Sequence, residues 1–312
     1  MIPLEEIRRA RETIAGAGIR TPLVRLPDTD VWLKLECLEP IGSFKIRGAT
    51  NAIRQAAPEE LSQGVVTASA GNMAQGVAWA AREAGVPATI VVPEHAPETK
   101  LAAIERLGGR VLKVPFDQWW RAIEESRFDG VDGLFVHPVQ DDLVMAGNGT
   151  IGLEILEDLP DADAVLVPYG GGGLTAGIAS AVKAIDPRVK VFSVEPETAA
   201  PLSASLAAGE PQEVEYRPSF VDGAGSRVVL PRMWPIVREL VDAAFTASLE
   251  ETAAAIRLMA ERARVIAEGA GALATAVALS GRAGSGKIVC IVSGGNIDFA
   301  KLAPILTGKT PE

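Results

Sequence analysis

A lysine set inside a turn is the first residue with chemistry to offer. In "PIGSFKIRGATNA" (residues 40–52), Lys45 follows a Gly-Ser-Phe turn and opens a helical pattern. Gly42 bends the chain, Ser43 is placed as an N-cap, and a helix is expected over residues 45–55. In the first turn of that helix the positive N-terminal field disfavours an ammonium, which is one route to a nucleophilic amine; a solvated surface lysine is the alternative. A second stretch, "VPYGGGGLTAGIA" (167–179), places four successive glycines, Gly170 to Gly173, between an apolar strand and a helical run. Without Cβ atoms their N–H groups can converge on one anion, and the helix N-terminus behind them adds positive field: a phosphate cradle. The stretch lacks the Gly-Lys-Ser/Thr of a Walker loop and does not match the dinucleotide pattern. "TASAGNMAQGVAWAA" (67–81) turns into a helix, with Ser69, Gly71 and Asn72 offering donors to a carboxylate. "CIVSGGNIDFA" (290–300) ends a buried strand at Ser293, a neutral partner for a pyridine nitrogen where a carboxylate would hold it protonated. An amine nucleophile and a phosphate cradle on one chain point to pyridoxal 5'-phosphate, with Lys45 forming the Schiff base.

The elements that must position these residues follow from periodicity. Strand-like runs at 31–38, 64–69, 88–93, 163–169, 189–196 and 287–293 alternate with helical patterns at 73–84, 98–107, 174–184 and 199–208. This alternation implies an α/β chain of parallel sheets covered by helices on both faces. Residues 115–133 read as a helix with polar flanks, in which Trp119 and Trp120 are packing residues. The 312 residues allow two domains, and the lack of a Gly/Ser-rich linker places the second as an insertion in the first. No apolar run approaches the ~18 residues of a membrane span. The N-terminus is an amphipathic helix of both charge signs rather than a signal peptide. Cys37 and Cys290 lie far apart in no metal-ligand spacing, so free buried thiols in a reducing cytoplasm are expected. A net charge of -10 argues against nucleic acid and anionic membranes as partners. With only His95 and His137 in the chain, histidine-based hydrolase and zinc schemes have little to build on.

Taken in order, "GSFKIRGA", "TASAGNMAQGVA", "VPEHAPETK", "AGNGTIGLEI", "VPYGGGGL", "VEPE", "AEGAGALA" and "VSGGN" carry a resemblance over nearly the whole chain. The sequence resembles the fold-type II pyridoxal-phosphate enzymes, specifically the threonine/serine dehydratase and serine racemase group. The resemblance implies a tryptophan synthase beta-like architecture of two open, mostly parallel sheets flanked by helices. It implies a large cofactor-binding domain from residues 1–53 and 143–312, a small substrate domain at 54–142, a cleft between them and a homodimer. Position by position it implies Lys45 as the Schiff-base lysine, Phe44 beside the cofactor ring and Asn72 on the ring hydroxyl. Gly170, Gly171, Gly172 and Gly173 with the Leu174 N–H would hold the phosphate, and Ser293 would face the pyridine nitrogen. Ser69, Ala70, Gly71 and Asn72 would line the substrate carboxylate site.

The expected reaction is β-elimination of water from a small amino-acid substrate, L-threonine or L-serine, giving a 2-oxo acid and ammonia, with Lys45 as the base at Cα. Alternatives are a lyase for a bulkier 3-hydroxy amino acid such as phenylserine or for a catabolic intermediate, an amino-acid racemase, and a non-catalytic pyridoxal-phosphate-binding protein. Retention of Lys45 argues against the last. Four departures from the resembled pattern matter. Met73 stands where relatives carry His, Tyr169 replaces a small aliphatic residue, and Asn148 replaces Gln, which leaves the substrate open. Glu195 matches one carboxylate of the cation site found in relatives, but Pro201 occupies the second position, so no strong structural metal is expected. Ala70 takes the place of the proton-donating Ser of the racemases. With no regulatory domain expected after Ile305, allosteric amino-acid control is not expected either.

Overall fold

Two sheets with their helices organise the chain, and the computed structural model describes residues 1–311. Along the chain, α1 (Leu4–Thr13), β1 (Leu23–Arg25) and β2 (Val31–Lys34) lead into α2 (Lys45–Gln55). There follow β3 (Val65–Ala68), α3 (Asn72–Ala84), β4 (Ala88–Pro93), α4 (Glu98–Arg106), β5 (Gly109–Val114), α5 (Phe116–Glu125) and β6 (Leu134–Phe135). The long α6 (Asp142–Asp158) returns the chain to β7 (Ala164–Pro168), α7 (Gly173–Ile185), β8 (Lys190–Pro196), α8 (Pro201–Ala208) and α9 (Trp234–Leu240). The last elements are β9 (Ala243–Ala247), α10 (Leu249–Leu258), α11 (Gly269–Leu279), β10 (Ile288–Ile291) and α12 (Phe299–Leu306).

The larger sheet has the order β1-β2-β10-β7-β8-β9, the smaller β5-β4-β3-β6. Every pairing is parallel except β1 with β2. Burial explains the continuous apolar runs. In the larger sheet Leu33, Leu166 and Cys290 face Leu273 and Val277 of α11, while Val165, Val167, Val289 and Ile291 face Ile151, Ile155 and Ile178 of α6 and α7. Strands covered on both faces have no polar side to show, which removes alternation from their sequence.

All six strand-like runs contain a strand. The run at 31–38 stops at Lys34, because its second half forms a 3-10 turn over Glu36–Leu38. The strands β1, β5, β6 and β9 were not marked by the apolar pattern; they are the four edge strands of the two sheets, and their residues are mostly half-exposed. The helix expected over 115–133 is shorter, ending where Ser126 turns left-handed at φ 53°. Helix α2 has the expected span, but Ser43 is not its cap. Ser43 pairs its backbone with Gly294, Phe44 takes the cap position, and the Ser43 hydroxyl is buried without a partner. Both cysteines are free and buried, and burial raises both thiols, Cys37 to about 12.

Helices α2 and α6 cross at glycines: a Cβ on Gly147 would lie 2.8 Å from the Gly48 Cα. That close crossing places the start of α2, and so Lys45, between the two sheets.

Candidate active site

A cavity of about 380 Å³ opens where strands of both sheets end. Parallel strands deliver their loops to one edge, so chain segments remote in sequence converge there. Lys45 enters from the first residue of α2. Its Nζ donates to the Pro138 carbonyl at 2.9 Å and lies 5.1 Å from the centroid of the Phe44 ring. Its pKa is pushed down to about 8 by burial, with the Glu268 carboxylate opposing the shift. A depressed amine was expected from the helix field; desolvation is the cause that operates here.

The glycine loop follows β7 and opens α7. Gly172 has a φ of 99°, and a Cβ on Gly171 or Gly173 would come within 2.4 and 2.8 Å of Val139 atoms. The glycine run is thus required by the packing of residues 138–139 against it as well as by turn geometry. Among the described residues, no hydrogen bond has the N–H of Gly171, Gly172, Gly173 or Leu174 as donor to a protein acceptor. These amides stand free at a helix N-terminus that lines the cavity.

On the other wall, Ser69, Ala70, Gly71 and Asn72 form the β3–α3 turn, and all four line the cavity. The Ser69 hydroxyl accepts from the Gly71 N–H at 3.2 Å. Asn72 is held from both sides: its Nδ2 donates to Glu268 Oε1 at 2.7 Å, and its Oδ1 accepts from Asn296 Nδ2 at 2.8 Å. Ser293, 3% exposed, lines the cavity from the end of β10. Every residue assigned from the sequence to the cofactor or substrate site therefore lines one cavity: Phe44, Lys45, the 69–72 turn, Gly170 to Leu174 and Ser293.

Two functional features had not been singled out. Glu268, at the start of α11, lines the cavity; burial and the nearby Asp222 push its carboxyl up to about 7. Its only sequence signal was a lone Glu within "AEGAGALA". Arg47, two residues after Lys45, is the hub of a buried cluster. It donates from Nε and Nη2 to Glu36 at 2.8 and 3.0 Å and from Nη1 and Nη2 to Glu154 at 2.6 and 3.1 Å. Glu154 also pairs with the buried Lys34, and Glu39 Oε1 lies 3.1 Å from Arg47 Nε. This cluster ties the start of α2 to α6 and to the 36–39 turn, which holds Lys45 in place.

The departures fall in two groups. Met73 lines the cavity, whereas Tyr169 and Asn148 sit beneath the glycine loop. A Cβ on Gly172 would be 3.1 Å from the Tyr169 ring, and Asn148 Nδ2 donates to the Gly173 carbonyl at 3.4 Å. Those two side chains support the loop and do not line the cavity. Trp119 packs as expected, on Phe116 at 5.4 Å between centroids and on the Val66–Val91 cluster, and it also lines the cavity. Trp120 is exposed and donates to Glu124 at 2.8 Å.

Glu195 is occupied by the fold. Its carboxylate accepts from the Leu202 and Ser203 N–H groups, each at 2.8 Å, and from the Ser203 hydroxyl at 2.7 Å. It closes the N-terminus of α8, whose first residue is Pro201. Among the described residues no group of three or more His, Cys, Asp and Glu side chains is placed to hold a metal ion.

Pyridoxal phosphate fits what is present. The buried amine of Lys45 has its aromatic neighbour Phe44, the four free loop amides suit a phosphate, and Ser293 offers the neutral partner a pyridine nitrogen can use. Comparison with known proteins agrees. The family described as "Pyridoxal-phosphate dependent enzyme" matches residues 14–294. The chain is 43% identical to the L-threonine ammonia-lyase of Thermotoga maritima, over 98% of this chain and 78% of that protein. It is 40% identical to the L-threonine ammonia-lyase of Geobacter sulfurreducens, over 98% and 78% of the two chains. Among solved structures, a T.th. threonine deaminase superposes with a TM-score of 0.83 at 37% identity, covering 95% of this chain and 99% of that one. Maize serine racemase superposes with a TM-score of 0.87 at 34% identity, over 97% and 96%. The cavity chemistry and these likenesses converge: the chain belongs to the family of pyridoxal-phosphate dependent enzymes.

Proposed function

We propose that this protein is an ammonia-lyase that eliminates water from L-threonine and L-serine, releasing a 2-oxo acid and ammonia. The observation that carries this reading is the Lys45 amine, buried between a free-amide glycine loop and the Ser69–Asn72 turn. Its support from relatives is the ammonia-lyase activity named for proteins 43% and 40% identical over nearly the whole chain.

Pyridoxal phosphate, when bound, supplies an electron sink for charge developing at the substrate Cα. In this reading the amides of Gly171 to Leu174 would hold its phosphate, Phe44 would lie beside its ring, Asn72 and Ser293 would meet its polar atoms, and Lys45 would anchor it. The turn from Ser69 to Asn72 holds the substrate carboxylate with backbone N–H groups and a hydroxyl. With a pKa of about 8, Lys45 has about a tenth of its amine neutral at about pH 7, far more than an ordinary lysine, and that form can take the Cα proton. Ser293 would meet the ring nitrogen with a neutral hydroxyl, which would not hold it protonated as a carboxylate would, so the bound group would supply a weaker electron sink. Ala70 has no proton to return to Cα from the opposite face, which disfavours racemisation. We assign residues 54–142, which carry the smaller sheet, to substrate binding and the remainder to cofactor binding. We place the protein in the cytoplasm, as its free buried thiols suggest, and make it a homodimer, as the resemblance implies. No helix among the described residues is long and apolar enough to cross a membrane.

The test is release of 2-oxobutyrate and ammonia from L-threonine by the purified chain loaded with pyridoxal phosphate. Absence of both products from threonine and from serine overturns the reading.

A further inference from the structure

The cavity is not polar throughout. Beyond Lys45 and the glycine loop, the wall contributed by the smaller sheet and its helices carries the apolar Ala70, Pro93, Ala96, Pro97 and Trp119, with His95 and Lys100 among them. Topology explains why these lie together. β4 is the sheet neighbour of β3, so the loop after Pro93 flanks the 69–72 turn, and α5 packs on both strands and brings Trp119 to the same rim. Trp119 belongs to a run of rings, with Phe116 at 5.4 Å and Phe116 in turn 6.0 Å from His95. The indole N–H of Trp119 is out of contact with solvent and has no acceptor, so it offers the cavity ring carbon rather than a donor. Met73, at the start of α3, is packed in the core behind this wall. The nearest cation on this wall, Lys100, is already paired with Asp222 across the cavity.

We propose that this wall is a pocket for an apolar, preferably aromatic, substituent on the substrate Cβ, so that 3-aryl-3-hydroxy amino acids are accepted and Trp119 is a specificity-determining residue. The proposal rests on the ammonia-lyase reading above for its reaction, though not for its binding. A threonine methyl covers little of the wall, whereas a ring bound there buries apolar area and stacks on Trp119. An acidic substituent would approach the Asp222 carboxylate, which already holds Lys100.

The experiment uses the pyridoxal-phosphate-loaded chain and two arms. In the binding arm, calorimetry compares L-phenylalanine with L-2-aminobutyrate; neither has a 3-hydroxyl leaving group. We expect phenylalanine to bind at least about 10-fold tighter. In Trp119→Ala the ratio falls toward one, and in Trp119→Phe, which keeps a ring, the preference survives. In the turnover arm, 2-oxo acid release is compared for L-threonine, threo-3-phenylserine and threo-3-hydroxyaspartate. Comparable or higher kcat/KM for phenylserine than for threonine supports the proposal. Equal affinities in the binding arm, or a ratio unchanged by Trp119→Ala, overturn it, as does a preference for hydroxyaspartate. Failure of all three substrates with the phenylalanine preference intact overturns the lyase reading and leaves the pocket standing.

Discussion

At the scale of single residues, Lys45 and Ala70 decide different things. In the proposed reaction Lys45 combines anchoring with proton abstraction, so Lys45→Ala should lose the absorbance of covalently held cofactor and lower turnover by at least about 10³-fold. Near-native turnover in that variant would remove Lys45 from the chemistry. Ala70 lines the cavity without a transferable proton. Serine recovered after partial turnover should therefore be almost entirely the L form by chiral analysis, with Ala70→Ser raising the D fraction. D-serine formed as fast as pyruvate in the unaltered protein would contradict this role for Ala70. The Ser69 hydroxyl, one residue before Ala70, accepts from the Gly71 N–H and belongs in this reading to the carboxylate site rather than to proton return at Cα.

At the scale of elements, the glycine loop and helix α2 are held by different forces. In the loop the constraint is steric and graded by position. A Cβ on Gly173 would sit 2.8 Å from the Val139 carbonyl oxygen, while one on Gly170 would meet nothing nearer than 3.4 Å. Backbone cannot yield as a side-chain end can, so Gly173→Ala should weaken pyridoxal-phosphate binding by about 10-fold or more in a fluorescence titration. Gly170→Ala should weaken it less, and equal losses would show that packing on Val139 is not what counts. Helix α2 is held instead by charge. Removing Arg47 leaves the buried Glu36, Glu39 and Glu154 with Lys34 as the remaining cation in the cluster. Arg47→Met should cost about 3–5 kcal/mol in urea unfolding, with Arg47→Lys recovering only part because an ammonium cannot fork to two carboxylates.

At the scale of the whole molecule, the site carries a stability cost that pH exposes. Glu268 has a carboxyl raised from 4.5 to about 7, so between those values the folded chain binds a proton that the unfolded chain has released. Stability contributed at this site is therefore greatest below pH 4.5 and falls as pH rises toward 7. Lys45 has the converse sign: its amine is lowered from 10.5 to about 8, so stability recovers as pH rises between 8 and 10.5. In the cofactor-free chain, Glu268→Gln should be more stable than the parent at about pH 8 by an amount on the order of 3 kcal/mol. That advantage should vanish near about pH 4, and a constant difference across the range would show that Glu268 does not titrate as described. The cavity between the sheets thus holds a carboxyl and an amine in forms that water would not favour, which suits proton transfer more than stability.

Much of this protein was legible before any coordinates. Four glycines between a strand and a helix, and a lysine opening a helix after a turn, are local patterns, and local patterns survive in a linear string. The alternation of doubly covered strands with helices is legible for the same reason, since burial on both faces writes itself as uninterrupted apolar runs. What the string did not contain is anything set by the distance between remote segments. Glu268 meets Asn72 across 196 positions, and Arg47 meets Glu154 across 107. Ser43 was placed as a cap by type, but a bridge to Gly294 claimed its backbone. Trp119 was placed as packing because its ring neighbours are local, while the cavity it faces is built by other strands. The lowered pKa of Lys45 was expected from a helix end and comes from burial instead. Residue type and spacing determined which chemistry the chain carries; desolvation and long-range pairing, which exist only once the two sheets meet, decided how that chemistry is tuned.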